Sequence, residues 1–522
     1  MASGWVTAFI LLAGILTVVC SILLFRLHAF LALILAALLV AAITPEATRQ
    51  RYLVAKDAAE VVETGPDSVT FVSGSGFSPS ALVSVLKLNP TSGRFEFLAP
   101  AVIETSKDDL GRWMARFSDP PQGWPQSDQT YVVMRDHQWT AVQKELSATI
   151  GSRIATGFGS TATSIGILIA MAAIIGKCLL DSGAADRIVR SILGWTGERG
   201  APIAFVFSGF LLGIPVFFDT VFYLMIPLGK AMRMRTGHSY LLYVLTIVCG
   251  GTMAHSLVPP TPGPLVVAEE LGVEIGTMIL VGMAVGLVAA VFGLFYAIAI
   301  NRVCDLPLRE SPDFSLADLE RTVERDLSQL PPLWLSLLPI LLPVILISMT
   351  TVLAKSSSST SSGELVLHVI RTLGEKSMAL TIAAFVSLIM LVRYQSGSLT
   401  KVSQPIQQAL ASGGVIILIT SAGGAFGSVL RQTGIAELIR DLPRSSPIMI
   451  CTLAFLMTTA IRTAQGSATV AMITAVGVLS GLARQGDLGF HPVYLAAAIG
   501  CGSKPIAWMN DSGFWVITRM SG

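Results

Sequence analysis

The residues best suited to chemistry in this chain form a polar cluster inside a long apolar stretch. Six residues that are polar or break helices lie between the apolar runs 448–459 and 470–482: Arg462, Thr463, Gln465, Gly466, Ser467 and Thr469. An arginine at the centre of a membrane helix costs about 2.5–3.5 kcal/mol. Polar, glycine-broken backbone at membrane depth is tolerated where it is buried in protein or lines a wet cavity. We therefore interpret residues 460–472 as the tip of a re-entrant hairpin at a solute site, with a loop between two ordinary helices as the alternative.

Three other apolar segments are interrupted in a similar way. One of them has four prolines between positions 259 and 264, and a helix cannot continue there because proline lacks the N–H group and clashes with the preceding turn. Each break exposes backbone groups that a solute or an ion can use. The polar residues at these breaks are Asp219 in segment 202–229, His255 and Thr261 in segment 240–268, and Lys504, Asn510, Asp511 and Ser512 in segment 491–517.

The composition indicates that membrane helices position these residues. Of the 522 residues, 52% are hydrophobic and 13% are charged, against about 25% charged in soluble domains. The mean hydropathy is +0.69, which is typical of a polytopic membrane protein. The six cysteines are scattered without CxxC or histidine pairs at metal spacing, so neither a disulfide framework, a metal site nor an enzyme is predicted. The first apolar run continues to Phe25, too long for a signal peptide, and is expected to stay as a membrane helix.

Changes in composition along the chain predict five regions. Residues 1–45 form two membrane spans, 149–300 and 333–522 form two transport repeats, and 301–332 is a charged cytoplasmic loop. Between the second and third spans, residues 46–148 alternate polar and apolar positions between turn residues, which favours short strands. We expect a β-rich, sandwich-like domain there, on the periplasmic side. This domain either binds a ligand or partner, or is a solvated insertion with no role in transport.

An internal repeat relates the two halves of the membrane part. Gly427 lies 251 residues after Gly176, and Gly434 lies 251 residues after Gly183. The same offset carries Asp219 to a position beside Thr469, so the two polar hairpins correspond, as do the two broken helices. When loops rich in Lys and Arg are assigned to the cytoplasm, segments 155–180 and 408–430 run in opposite directions. The prediction is an inverted repeat with two re-entrant hairpins and two broken helices, as in secondary transporters.

Five ordered segments resemble the signature segments of the gluconate permease family, which are proton symporters for sugar acids within a wider ion transporter superfamily. They are residues 216–219, 255–264, 421–427, 462–471 and 510–515. The resemblance covers about 1–45 and 150–517. Three features depart from the family pattern: the β-rich insertion, Lys504 with Pro505 in place of small or apolar residues, and an end shortly after Trp515, where the family normally adds a further span.

The resemblance implies a hydroxylated monocarboxylate as solute and a role for each polar residue. Arg462 is expected to bind the carboxylate, or else to pair structurally with Asp219 or Asp511. Asp219 and Asp511 are candidates for the coupling proton, or for helix caps, and His255 for a proton relay or a simple hydrogen bond. Lys504 is either a second anion contact or a counter-ion to Asp511. The remaining expected substrate-binding residues are Gln465, Gly466, Ser467, Thr469, Thr261, Asn510 and Ser512.

The function expected from these residues is a proton-coupled symporter for gluconate or a related sugar acid. It would lie in the bacterial inner membrane as a multi-pass protein, use the proton gradient and no cofactor, and contact lipid but no nucleic acid. Sodium coupling is one alternative, because broken helices also offer carbonyls to Na⁺. A ligand sensor that uses the external β-rich domain is another. The state of oligomerisation, including a homo-oligomer, is left open.

Overall fold

The computed structural model describes residues 4–72, 77–105, 112–121, 124, 129–304, 306–309, 329–353, 368–396, 402–434, 446–465, 467–485, 488–507 and 511–522. Most of the predicted cytoplasmic loop 301–332 lies outside these residues. The chain divides into two compact units. Unit 1 comprises Met1–Val18, Ile34–Gly157 and Ala425–Pro443, and unit 2 comprises Val19–Leu33, Phe158–Gly424 and Arg444–Gly522.

The secondary structure is mostly helical, with one group of strands near the N-terminus. The first helices are α1 (Gly4–Leu23), α2 (Ala29–Ile43) and α3 (Glu46–Asp57), followed by strands β1 (Ala59–Thr64), β2 (Ser68–Val72), β3 (Leu82–Leu88), β4 (Phe95–Thr105), β5 (Arg112–Phe117) and β6 (Tyr131–Arg135). Then come α4 (Asp136–Leu146), α5 (Ile150–Asp181), α6 (Ala184–Thr196), α7 (Ala201–Gly213), α8 (Phe218–Thr236), α9 (Tyr240–Leu257), α10 (Pro262–Glu270) and α11 (Ile275–Val303). The last group is α12 (Leu333–Leu353), α13 (Lys376–Leu391), α14 (Ser403–Arg431), α15 (Pro447–Gln465), α16 (Ala468–Gln485), α17 (Pro492–Gly502) and α18 (Ser512–Ser521).

The six strands of unit 1 form a closed antiparallel barrel in the order β1-β2-β5-β4-β3-β6. Strand β6 closes it by pairing with both β1 and β3. Alternate residues of each strand point inward, as in Val69 and Phe71 of β2 and Val83 and Val85 of β3, all fully buried. The predicted strands are present, but the sandwich-like arrangement was wrong. Closure pairs the edge strands with each other and leaves no exposed strand edge.

The rest of unit 1 is held together by a buried arginine. Arg153, at the start of α5, is only 7% exposed. Its Nε and Nη2 donate to Oε1 of Gln432 at 3.2 and 2.6 Å, and its Nη1 donates to the carbonyl oxygen of Ala41 at 3.4 Å. Thr7 in α1 donates to the carbonyl oxygen of Thr433 at 3.2 Å. These polar contacts link α1, α2, α5 and the segment after α14.

Six helices in the described part of the chain are long and apolar enough to cross a membrane. They are Ile150–Asp181, Tyr240–Glu270, Ile275–Val303, Leu333–Thr350, Lys376–Tyr394 and Ser403–Arg431, where Tyr240–Glu270 counts α9 and α10 together as one span. A seventh span is possible if Ala29–Ile43 and Glu46–Ala55, which meet at 99°, are counted together. Several apolar segments of the sequence are instead divided into shorter helices, so the protein is a polytopic helical membrane protein with interrupted segments.

Four interruptions lie where the sequence places prolines, glycines and polar residues. They separate α7 from α8 at 214–217, α9 from α10 at 258–261, α15 from α16 at 466–467, and α17 from α18 at 503–511. At the second break Val258 and Thr261 have extended backbones. This is the conformation that the following prolines impose.

In unit 2, helices α5 and α14 pack antiparallel along a seam of small residues. A β-carbon placed on Gly424 would lie 1.9 Å from Oγ1 of Thr161, and one on Gly413 would lie 3.2 Å from Cβ of Ala173. Between these contacts, Gly166 faces Ile417, with 3.9 Å from the position of a β-carbon to Cγ2. The seam positions increase along α5 while they decrease along α14, so the two helices run in opposite directions.

Candidate functional site

Arg462 is buried near the end of α15 and uses two of its three nitrogens. The residue is 5% exposed. Its Nε donates to the carbonyl oxygen of Ser503 at 3.1 Å, and Nη2 donates to Oδ2 of Asp511. Its Nη1 is buried and has no hydrogen-bond partner among the described residues. A buried guanidinium donor without an acceptor is costly, because an unpaired buried polar group loses its hydration without compensation. An anionic ligand would remove this cost.

Asp511 caps a helix, which was one of its two alternatives from the sequence, and it also pairs with Arg462. It is the N-cap of α18, where Oδ1 accepts a hydrogen bond from the backbone N–H of Gly513 at 3.0 Å. Its Oδ2 pairs with Arg462, and its side chain is 14% exposed. The cap satisfies a free N–H group of the first turn, and a negative charge at a helix N-terminus is stabilising. The two carboxylate oxygens therefore have separate functions.

Asp219 lies in the first turn of α8 and approaches the same glycine. A β-carbon placed on Gly513 would lie 3.4 Å from Oδ1 of Asp219 and 3.3 Å from the Phe218 ring. The N-termini of α8 and α18 thus meet at Gly513, and both carboxylates contact this residue. A β-carbon at position 513 would make a tight contact with the Phe218 ring, so glycine permits the close approach of the two helix ends.

Lys504 completes a balanced group of charges. It lies just after α17, is partly buried, and interacts electrostatically with Arg462, Asp511 and Asp219. The four side chains carry two formal positive and two formal negative charges, which sum to zero. Both sequence-based alternatives for Lys504, an anion contact and a counter-ion to Asp511, fit this position.

His255 is adjacent to the group through Lys504, with which it interacts electrostatically. Its ring packs edge-on against Phe217, with 6.0 Å between ring centroids and 70° between planes. Its Nδ1 is buried, and no described residue forms a hydrogen bond with it. The relay role and the simple hydrogen bond expected from the sequence both stay predictions.

The hydroxyl residues of the predicted site mainly satisfy the backbone at the breaks. Thr261, 3% exposed, donates from Oγ1 to the carbonyl oxygen of Val258 at 2.6 Å. Ser467 accepts from the backbone N–H of Val470 at 3.3 Å and so caps α16. These hydroxyls retain acceptor or donor capacity for a ligand, because each hydroxyl has one donor and two acceptor positions.

Thr469 lies where a second pair of helix N-termini meets. A β-carbon placed on Gly263, in the first turn of α10, would lie 3.7 Å from Cα of Thr469 in α16. This contact resembles the one between Gly513 of α18 and Phe218 of α8. Four of the expected binding residues lie wholly or partly outside the described residues: Gly466 and Asn510 entirely, and Gln465 and Ser512 in their side chains.

A cavity of about 230 Å³ lies beside the break between α7 and α8. Its lining includes Gly176, Lys177, Pro215, Phe217 and Thr220. Phe217 therefore both lines the cavity and packs against His255.

The sequence did not predict the roles of Ser503 and Gly513. Ser503 acts through its backbone carbonyl, which no side-chain pattern reveals. Gly513 could have been found, because it lies 250 residues after Gly263 (513 − 263 = 250), close to the offset of the internal repeat.

Comparison with known families was made on the complete chain. The model of the GntP family permease matches residues 144–522, which is more than half of the chain and includes Arg462, Asp511, Asp219 and Lys504. The chain belongs to the GntP permease family. The matched region begins after β6, so the barrel lies outside it.

Individual permeases of known organisms are similar over most of their length. An uncharacterized permease of Haemophilus influenzae is 34% identical over 380 residues, 71% of this chain and 76% of the relative. The gluconate permease of Pseudomonas aeruginosa is 31% identical over 368 residues, 70% of this chain and 79% of the relative. The inner membrane permease YgbN of Escherichia coli is 29% identical over 380 residues, 72% of this chain and 82% of the relative.

Family membership confirms the class expected from the sequence. The GntP permeases are transport proteins, so this chain is a permease and not an enzyme. Family membership and the long apolar helices together confirm that the chain is a multi-pass protein of the inner membrane.

Proposed function

We propose that this GntP permease is a secondary carrier for gluconate or a related hydroxylated monocarboxylate, and that it couples uptake to protons. The observation that carries the proposal is the buried Nη1 of Arg462, which has no partner among the described residues. A guanidinium stays charged at any physiological pH and matches a carboxylate in geometry. Relatives named gluconate permease support a sugar acid as the source of that carboxylate.

The hydroxyl groups of the solute would be bound by the polar residues around the helix breaks. Ser467 and Thr469 lie at the N-terminus of α16, and Thr261 lies at the N-terminus of α10. The first turn of a helix offers backbone N–H groups to a ligand, although in α10 Pro262 and Pro264 lack this group. Gln465, Gly466, Asn510 and Ser512 are proposed for the same role from their positions in the sequence. Amide and hydroxyl groups suit a polyol chain because they both donate and accept hydrogen bonds.

We propose that the two halves form an inverted repeat, with re-entrant hairpins at α7–α8 and α15–α16. Three contacts support it. Gly166 faces Ile417, its own counterpart at the repeat offset (417 − 166 = 251), in the antiparallel seam. The contact of Gly263 with Thr469 corresponds to that of Gly513 with Phe218 (513 − 263 = 250; 469 − 218 = 251). A two-fold axis in the membrane plane would produce this exchange of partners, and such repeats place the solute site near the midplane.

Proton coupling is proposed because the Asp511 carboxylate pairs with the guanidinium, and the Asp219 carboxylate lies next to Gly513, whose N–H group Asp511 caps. The energy source is then the proton gradient, with no cofactor. The competing proposal is Na⁺, which would be held by carbonyl groups at the broken helices. The sequence-based suggestions of an oligomer and of a ligand for the barrel stay predictions.

Transport by the purified full chain in liposomes tests the proposal. Vesicles loaded with unlabelled gluconate should take up external radiolabelled gluconate by counterflow, and an inward proton gradient should drive accumulation in empty vesicles. An inward sodium gradient at constant pH should have no effect. Saturable binding without counterflow would instead identify a sensor, and accumulation that follows sodium alone would refute proton coupling. A thermal-shift panel of gluconate, other aldonates, glycerate and hydroxylated amino acids would identify the solute.

A further inference from the structure

The charges around Arg462 are balanced before any solute binds. Arg462 and Lys504 are formally positive, Asp219 and Asp511 are formally negative, and Lys504 interacts electrostatically with each of the other three. His255, which faces Lys504 from α9, adds no charge in its neutral form. A solute carboxylate would bring an extra negative charge into a poorly solvated place, where an uncompensated charge costs several kcal/mol. One proton on either aspartate restores neutrality.

The hydrogen bonds of Asp511 place its carboxylate directly at the proposed solute site. Its Oδ2 occupies Nη2 of Arg462, beside the buried Nη1, which has no hydrogen-bond partner in the described part of the chain. A solute carboxylate that binds both terminal nitrogens, the strong bidentate arrangement, must therefore displace Oδ2. Its Oδ1 is bonded to the N–H of Gly513. A proton on Oδ2 would weaken the ion pair and leave this helix cap in place.

We propose that Asp511 is the carboxylate that binds the coupling proton, and that in its charged form it competes with the solute carboxylate for Arg462. This inference rests on the proposed transport of a sugar acid. The ionised carboxylate blocks the site, and the protonated one releases Nη2 to the solute. One proton therefore accompanies each monocarboxylate, and the loaded group of charges is again neutral. Proton loss after transport re-forms the ion pair and expels the solute.

The competition has a measurable consequence for affinity. Only the fraction of molecules with a protonated Asp511 binds solute, and apparent affinity is reduced by that fraction. Above the pH at which Asp511 ionises, this fraction falls tenfold per pH unit. The apparent Kd should therefore rise about tenfold per pH unit on the alkaline side and become constant on the acid side.

Equilibrium binding of radiolabelled gluconate to the purified full chain, from about pH 5 to about pH 9, tests this. Proton uptake per bound gluconate is measured by titration calorimetry in buffers of different ionisation enthalpy. Wild type should show the tenfold rise in Kd per pH unit and take up one proton per gluconate. Asp511→Asn should bind with a Kd that does not change with pH and take up no proton, because the amide cannot ionise.

Two further variants complete the experiment. Asparagine and serine are both good N-cap residues, so Asp511→Asn and Asp511→Ser each keep a hydrogen bond to the first turn of α18. Both variants should lose the pH dependence of binding. Asp186→Asn is the matched control, because this carboxylate is similarly buried and pairs with Arg190 of α6 at 2.9 Å, outside the group of charges around Arg462. It should keep the wild-type slope and proton uptake.

Several results would overturn the inference. Wild-type binding of gluconate without pH dependence does so while leaving the proposed function intact. The same holds if the Asp511 variants retain the slope, or if Asp186→Asn abolishes it. A wild-type chain that binds neither gluconate nor any other sugar acid at any pH overturns the proposed function and this inference together.

Discussion

Replacement of Arg462 by lysine separates charge from hydrogen-bond geometry at the proposed solute site. Lysine keeps the positive charge opposite Asp511. Its single ammonium cannot reproduce the planar guanidinium, which donates to the Ser503 carbonyl and to Asp511 and still has Nη1 available. We therefore expect Arg462→Lys to fold and to bind solute weakly.

The expected magnitude follows from the lost hydrogen bonds. A hydrogen bond to a charged group contributes about 1.5–3 kcal/mol. Loss of the bond from Nη1 to the solute carboxylate should thus weaken binding by about 10- to 150-fold, at about 1.4 kcal/mol per factor of ten. Leaving the buried Ser503 carbonyl without its donor should lower the free energy of unfolding by about 1–3 kcal/mol.

Labelled-gluconate binding and thermal unfolding in detergent measure the two effects. Arg153→Lys is a matched control, because Arg153 is similarly buried and its bonds go to Gln432 and to the carbonyl oxygen of Ala41. It should lose a similar amount of stability and bind gluconate as wild type does. If Arg462→Lys binds as well as Arg153→Lys, the assignment of the carboxylate to Arg462 is wrong.

Two further predictions concern packing, one in unit 2 and one in unit 1. Gly424→Ala should destabilise the protein by about 1–3 kcal/mol and lower its melting temperature, because the new methyl group would lie 1.9 Å from Oγ1 of Thr161. Gly414→Ala is the control and should be neutral, because a β-carbon at position 414 has no atom within 4 Å. Equal melting temperatures of the two variants would contradict the seam between α5 and α14. Residues 46–145 expressed alone should give a β-type circular dichroism spectrum. Phe71→Ala should destabilise that fragment by about 3–5 kcal/mol, while Val62→Ala, 60% exposed, should change its stability by less than about 0.5 kcal/mol; a fragment without β-structure would show that the barrel does not fold alone.

The class of protein and the positions of the helix breaks could be predicted from the sequence. Few charges and long apolar runs permit only a membrane protein. Pro259 and Pro260 follow the end of α9, while Pro262 and Pro264 lie in the first turn of α10, where proline is tolerated. Alternation likewise predicted the strands of the insertion. It could not predict barrel closure, because the pairing of β1 with β6 joins segments about 70 residues apart and depends on the twist of the whole sheet.

The contacts within the site were harder to predict from the sequence. Asp219 and Asp511 were equal candidates for Arg462, since both are intramembrane carboxylates and separation along the chain does not decide which is near. The fold decides, because the break after α17 brings Ser503 and the cap of α18 to the guanidinium. Thr261 was expected to bind solute, yet its hydroxyl bonds to Val258, and only the conformation of the break reveals this.

A structure of the purified protein with bound gluconate, determined by electron cryomicroscopy, tests the central claim most directly. The solute carboxylate is predicted to lie within hydrogen-bond distance of Nη1 and Nη2 of Arg462, with its hydroxyls directed towards the breaks that precede α10 and α16. The Asp511 carboxylate should have left Nη2 and still cap α18. Gluconate bound elsewhere, with the pair between Arg462 and Asp511 unchanged, would contradict the account.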